Sequence, residues 1–104
     1  MLFNLFTRRN INQGVEEWKN IKDAVLLDVR TKEEYADYHI NGSLNIPLDR
    51  LDTISGSIPD KTTHIFVHCL SGGRSAGAAA YLKKIGYNRV YDIGGISSYK
   101  GETV

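Results

Sequence analysis

The chain has 104 residues, with 13 Lys and Arg set against 12 Asp and Glu, enough for a single domain with one hydrophobic core and no covalent staples. Charge this balanced, with no block of like sign, argues against nucleic acid or an anionic membrane surface as the main partner. A single cysteine cannot form an internal disulfide, so a reducing compartment and a cytoplasmic protein are expected. The opening Met1-Leu2-Phe3-Asn4-Leu5-Phe6-Thr7-Arg8-Arg9 carries its basic residues after its apolar ones. Its apolar stretch is too short and broken for a secretory core, and no run approaches transmembrane length.

In chain order, Asn10-Ile11-Asn12 reads as a weak strand. Asn12 is placed to cap a helix through Trp18, with Val15, Trp18 and Lys19 inward and Glu16 and Glu17 in the early turns. Val25-Leu26-Leu27-Asp28-Val29 is a continuous apolar run ended by a charge, as expected of a strand buried on both faces. Thr31-Lys32-Glu33-Glu34 fits a Thr-x-x-Glu capping box, opening a helix to about Tyr38. Ser43 to Ile46 is a second weak strand; Pro47 ends it, and a short helix is expected across Leu48 to Ile54. His64-Ile65-Phe66-Val67-His68 and Arg89-Val90-Tyr91-Asp92-Ile93 repeat the buried-strand pattern. Between them the longest helix runs from about Gly73 to Ile85, with Lys83 and Lys84 complementing its dipole and Gly86 at C′. On that helix Ala76, Ala79 and Ala80, extended by Leu82 and Ile85, form the expected packing face. Gly94-Gly95 turns the chain toward a short helix over Ser97 to Lys100.

Strands alternating with helices of this length predict an α/β fold with a mainly parallel sheet. Ligands of such sheets collect at the carboxyl ends of the strands. Asp28, Arg30, Cys69 and the stretch Asp92 to Gly95 fall at that one edge.

Cys69 stands out there. It ends an apolar run and is followed by Leu70-Ser71-Gly72-Gly73-Arg74-Ser75 and an alanine-rich helix, so its thiol lies at a helix amino end, where unpaired N–H groups and the dipole favour an anion. Gly72 and Gly73 let the backbone turn tightly and form a nest of N–H groups. Arg74 adds a fork suited to oxyanions, and Ser75 is placed to cap the helix or donate to the sulfur. Alone, Cys69 would read as a buried strand-end residue beside an ordinary turn. The glycine pair, arginine and small-residue helix together favour a nucleophilic thiolate.

The set Leu27-Asp28-Val29-Arg30, Glu34-Tyr35, His39-Ile40-Asn41-Gly42-Ser43, Asn45-Ile46-Pro47, Cys69-x-x-Gly72-x-Arg74-Ser75 and Gly94-Gly95 resembles rhodanese domains, in their order, from about Ile11 to Tyr99. The resemblance implies a three-layer α/β fold with a mainly parallel, about five-stranded sheet flanked by helices, as one domain over residues 1–104. It implies a monomeric sulfurtransferase in which Cys69 carries a persulfide and Leu70, Ser71, Gly72, Gly73, Arg74 and Ser75 bind the substrate. The implied partners are a small sulfur donor, such as thiosulfate or a persulfide, and a thiol or protein-thiol acceptor, with no cofactor or metal. Arg74 lies five positions after Cys69. That six-residue loop resembles the sulfurtransferases, whereas phosphatases and arsenate reductases of the same fold carry one residue more. A persulfide-carrying or regulatory binding module with little turnover is the alternative, since Leu70 and Ser71 bring no charge to attract small dianions.

Asp28 and Arg30 have two readings: supports holding the cysteine loop, or a structural ion pair, with Glu33 or Glu34 as candidate partners. His68 adjoins Cys69 on a strand, so the two point to opposite faces, and His68 reads as packed or hydrogen-bonded rather than as a base. His39 resembles the family's structural histidine, and with His64 the three histidines show no metal-ligand spacing. Tyr38 and Tyr99 stand where glycine and tryptophan are common, which bears on loop shape and substrate preference.

Overall fold

The computed structural model describes residues 10–104; the segment Met1 to Arg9 lies outside them. Helix α1 (Ile11–Asn20) is capped by Asn10, whose side chain accepts from Gln13 N–H while Gln13 answers to the Asn10 N–H. The cap is therefore two residues earlier than Asn12. The weak strand expected at Asn10 to Asn12 is the start of this helix, because a reciprocal capping box satisfies donors that a short edge strand would leave open. Val15 is buried and Trp18 half-buried on its inner side, whereas Lys19 is exposed.

Strand β1 (Val25–Asp28) follows, then α2 (Lys32–Asp37), β2 (Leu44–Asn45), a 3₁₀ segment over Leu48–Thr53 and a single α turn, α3 (Ile54–Ser57). Strand β3 (Ile65–Cys69), helix α4 (Gly73–Lys84), β4 (Val90–Gly95) and a 3₁₀ turn over Ile96–Ser98 complete the order. Thr31 caps α2 with Glu34 in the reciprocal position, as the Thr-x-x-Glu pattern predicts. The sheet has four strands among the described residues, in the order β2-β1-β3-β4, and all pairs are parallel. It falls one short of about five because residues 10–12 are helical.

Alternation along the central strands divides the interior into two cores. Leu27, Val29, Val67 and Cys69 face α4 and meet Ala78, Ala79 and Leu82. Leu26 and Phe66 face α1 and meet Ile11, Val15, Ile93 and Ile96. On α4 the small residues that approach the sheet are Ser75, Ala78 and Ala79, while Ala76 and Ala80 are exposed. The difference is one of helix phase: the 3.6-residue repeat that buries Ser75 carries 78, 79 and 82 inward with it.

The carboxyl end of β1 holds a buried ion pair. Asp28 and Arg30, at 0% and 1% exposure, bond side by side through Arg30 Nε and Nη2 at 3.1 and 2.8 Å. The Arg30 N–H also donates to Asp28, its Nη2 donates to the Tyr38 carbonyl at 2.7 Å, and its guanidinium lies 5.1 Å from the Tyr38 ring centre. Removing one partner leaves an uncompensated buried charge. Asp28→Ala should lower unfolding free energy by about 3–5 kcal/mol, read as a fall in urea midpoint with an unchanged slope. A loss below about 1 kcal/mol would mean that Arg30 finds water or another carboxylate.

Candidate active site

Between the last residue of β3 and the first of α4 the chain must reverse, and Gly72 makes this possible with φ +111°, a conformation that strains any side-chain-bearing residue. The turn folds the backbone over the sulfur of Cys69. Gly72 N–H lies 3.0 Å from Sγ and Ser75 N–H 3.3 Å. These are helix amino-end donors that would otherwise lack partners, and here they point at a sulfur. The end of β4 supports the turn from below. A methyl group on Gly95 would collide with the Leu70 carbonyl oxygen and come within 2.6 Å of Ser71 Cα, and Ser97 N–H donates to that carbonyl at 3.0 Å.

Cys69 is 1% exposed. Burial pushes its thiol up, but hydrogen bonds from the Ser75 hydroxyl and from the Ser75, Gly72 and Ser71 amides outweigh burial, and the net shift is downward. The Ser75 hydroxyl has one hydrogen, for which Asp92 Oδ1 at 2.8 Å, Gly72 O at 3.0 Å and Gly94 O at 3.3 Å compete. The charged Asp92 oxygen is the strongest acceptor of the three.

The remaining loop residues divide by role. Leu70 is half-buried against the α1-side core, while Ser71 and Gly73 are exposed. The Arg74 fork clasps Glu34 of α2 at 2.7 and 2.9 Å, and its charge also interacts with Cys69. The Arg74 guanidinium holds the Glu34 carboxyl down at about 2, and Glu34 raises Arg74 in return. Asp28 and Arg30 bond to each other and to Tyr38, while Asn45 donates to both of their carbonyls at 2.9 Å. The ion-pair partner of Arg30 is thus Asp28 itself, and Glu34 serves Arg74. His68 lies on the face away from the thiol: its Nδ1 is 3.1 Å from the Cys69 carbonyl oxygen, so that nitrogen carries the proton, and Nε2 is 3.7 Å from Asp28. Burial lowers the His68 pKa in spite of Asp28, and the ring is kept from the thiol by lying on the opposite face of the sheet.

Two contributors escaped sequence reasoning. Glu34 was legible as a cap but not as the partner of an arginine 40 positions away. Asp92 was placed at the right edge with no partner in view; its bond to Ser75 depends on the extra residue at Ile93 that carries β4 from pairing Val67 with Asp92 to pairing His68 with Gly94.

A match to the Rhodanese-like domain family spans residues 11–102. The chain belongs to that family. Among curated rhodanese relatives, thiosulfate sulfurtransferase PspE of Escherichia coli is 37% identical over 71 residues, covering 67% of this chain and 68% of its own. Thiosulfate sulfurtransferase GlpE of Tolumonas auensis is 33% identical, covering 86% and 83%. A solved structure described as a rhodanese with anions from E. coli superposes with a TM-score of 0.72 at 33% identity, covering 78% of this chain and 96% of that one. These relatives support a sulfurtransferase enzyme.

The alkylation rate of Cys69 by iodoacetamide, followed against pH, should show a midpoint below the ordinary thiol value of about 8.5. Arg74→Gln should move that midpoint upward, because it removes a cation that interacts with the sulfur and leaves the Glu34 carboxylate unpaired beside the loop. A midpoint above the ordinary value would make Cys69 an inert buried thiol.

Proposed function

We propose that this rhodanese-like sulfurtransferase moves a sulfane sulfur from a small donor, such as thiosulfate or a persulfide, to a thiophilic acceptor through a persulfide on Cys69. The observation that supports it most directly is a recessed cysteine sulfur aimed into backbone amides by a six-residue loop. In the first half-reaction the thiolate forms a bond to the donor's outer sulfur, the donor's S–S bond breaks, and its electron pair leaves with the remainder as sulfite or a thiolate. The product is a disulfane anion or its protonated form, and the Gly72, Ser75 and Ser71 amides that hold the thiolate are placed to hold it too. In the second, a nucleophile such as cyanide or a cellular thiol takes the outer sulfur and Cys69 leaves as thiolate.

No second thiol exists in the chain, so none can condense internally with the loaded sulfur, and turnover is ping-pong with an external acceptor. A single copy supplies the whole loop, consistent with a monomer as the working unit, and a lone thiol suits the cytoplasm. Phosphoryl chemistry is disfavoured by the same geometry. A transferring phosphoryl group needs separate donors for its equatorial oxygens, whereas this loop converges on one recessed sulfur.

Incubation with thiosulfate or an organic persulfide should add about 32 Da to the intact mass, removable by cyanide and absent in Cys69→Ser. Turnover of either donor by Cys69→Ala would overturn the persulfide route, and loading without steady-state turnover would mark a carrier instead of an enzyme.

The unmodified protein should show negligible hydrolysis of an aryl phosphate, and one residue inserted between Gly72 and Gly73 should weaken sulfur transfer. Sustained aryl phosphatase activity of the unmodified chain, lost in Cys69→Ser, would reassign the reaction.

A further inference from the structure

We propose that the Glu34–Arg74 pair sets donor preference: by cancelling the only cation of the cysteine loop, Glu34 makes the site favour a small organic persulfide over thiosulfate. The inference rests on the sulfur-transfer reading above and names the donor class for that same site.

Among residues 69 to 75 only Arg74 carries a positive charge. Both of its outer nitrogens are taken by Glu34, at 2.7 and 2.9 Å. Glu34 is itself held in place as the third residue of α2, where its Oε1 also accepts the Thr31 N–H at 2.9 Å. The carboxylate is thus fixed at two points and cannot swing away without leaving the Thr31 N–H short of its capping-box acceptor. Its low pKa keeps the pair ionised at any working pH. On the other side of the loop, the Asp92 carboxylate bonds to Ser75 at 2.8 Å and to Gly94 N–H at 3.1 Å. At the edge of β1, Asp28 and Arg30 cancel each other. Arg74 and Glu34 therefore cancel at the loop, leaving the amide dipoles as the attraction for an anion.

The two donors ask different things of such a loop. Thiosulfate brings two negative charges to a thiolate that already has one. Attack gives Cys69–S–S⁻ and sulfite dianion, so three charges gather in the transition state. An organic persulfide in its RS–SH form brings none. Attack on its outer sulfur breaks the S–S bond, forms Cys69–S–SH and releases RS⁻, with one charge throughout. Amides that hold one anion serve the second reaction, and the first calls for a free cation, which Glu34 withholds. Gln at position 34 keeps the cap, since a Gln side chain fills the third position of a capping box equally well, and releases the guanidinium charge.

The experiment measures kcat/KM for thiosulfate and for cysteine persulfide, with cyanide as acceptor, in the wild type, Glu34→Gln and the double variant Glu34→Gln with Arg74→Gln. The wild type should prefer the persulfide by about tenfold or more, and rising salt should not slow its thiosulfate turnover. Glu34→Gln should raise kcat/KM for thiosulfate by about tenfold, change the persulfide value by less than about threefold, and become slower with rising salt. The double variant should lose that gain. A new salt dependence is something a purely structural role for Glu34 would not produce. Thiosulfate preferred by the wild type, or a donor ratio and salt response unchanged in a folded Glu34→Gln, overturns the proposal while leaving sulfur transfer intact. Turnover of neither donor by the wild type overturns the sulfur-transfer reading and this proposal with it.

Discussion

Two backbone N–H groups aimed at one sulfur are the constraint on which this site depends. They can converge on Cys69 only because Gly72 adopts a positive φ and because Gly95, without a side chain, lets the sheet edge sit directly beneath the loop. Both glycines serve geometry, and the geometry serves charge. The amides belong to the amino end of α4, so two of its first-turn donors are satisfied and an anion on the sulfur is favoured by one arrangement. Ser75 extends it: its buried hydroxyl ties the start of α4 to Asp92 and Gly94 of β4, which fixes the loop from the far side.

Strand alternation gives the site its second property, the separation of support from chemistry. Cys69 faces the α4 core while His68 and Asp28 lie on the other side of the sheet. A histidine adjacent in sequence thus contributes only through the backbone, by its bond to the Cys69 carbonyl. The thiol has its pKa lowered without a base. Its lowered pKa comes from fixed dipoles, which need no protonation event and do not titrate near neutral pH. That distinguishes this loop from cysteine nucleophiles paired with an imidazole, whose reactivity follows the histidine.

Much of this was legible in the chain because it is written in local signals. The capping box at Thr31, the buried runs at β1, β3 and β4, Gly86 past the end of α4 and the order of cysteine, glycines, arginine and serine are all readable within a few residues. What was not legible is pairwise and distant. Nothing near Arg74 announces that its fork is taken by Glu34, and nothing near Asp28 says that Arg30 curls back two residues instead of reaching α2. Helix phase failed for a related reason. In Gly73-Arg74-Ser75-Ala76-Gly77-Ala78-Ala79-Ala80 nearly every residue is small, so the sequence carries little periodic contrast, and the inward face is chosen by where the cysteine loop starts the helix. At residues 10–12 two asparagines around an isoleucine mimic strand alternation, and the Gln13 partner of Asn10 decides for helix.

A cage of amides that favours an anion on Cys69 raises a question of economy, since in the proposed transfer it would hold the free thiolate and the loaded disulfane anion alike. Binding two states equally does not by itself accelerate their interconversion. In a two-step transfer, however, levelling them has a use. If the cage held only the thiolate, loading would be uphill; if it held only the persulfide, unloading would be. On the proposed route, amides that follow the charge as it moves outward by one sulfur would keep the half-reactions near balance, so that neither donor nor acceptor need be a strong reagent. The absence of any second thiol in the chain fits the same logic. With no internal partner to discharge it, a loaded state on the proposed route would wait for an external acceptor, sheltered by the recess in which Cys69 lies, 1% exposed.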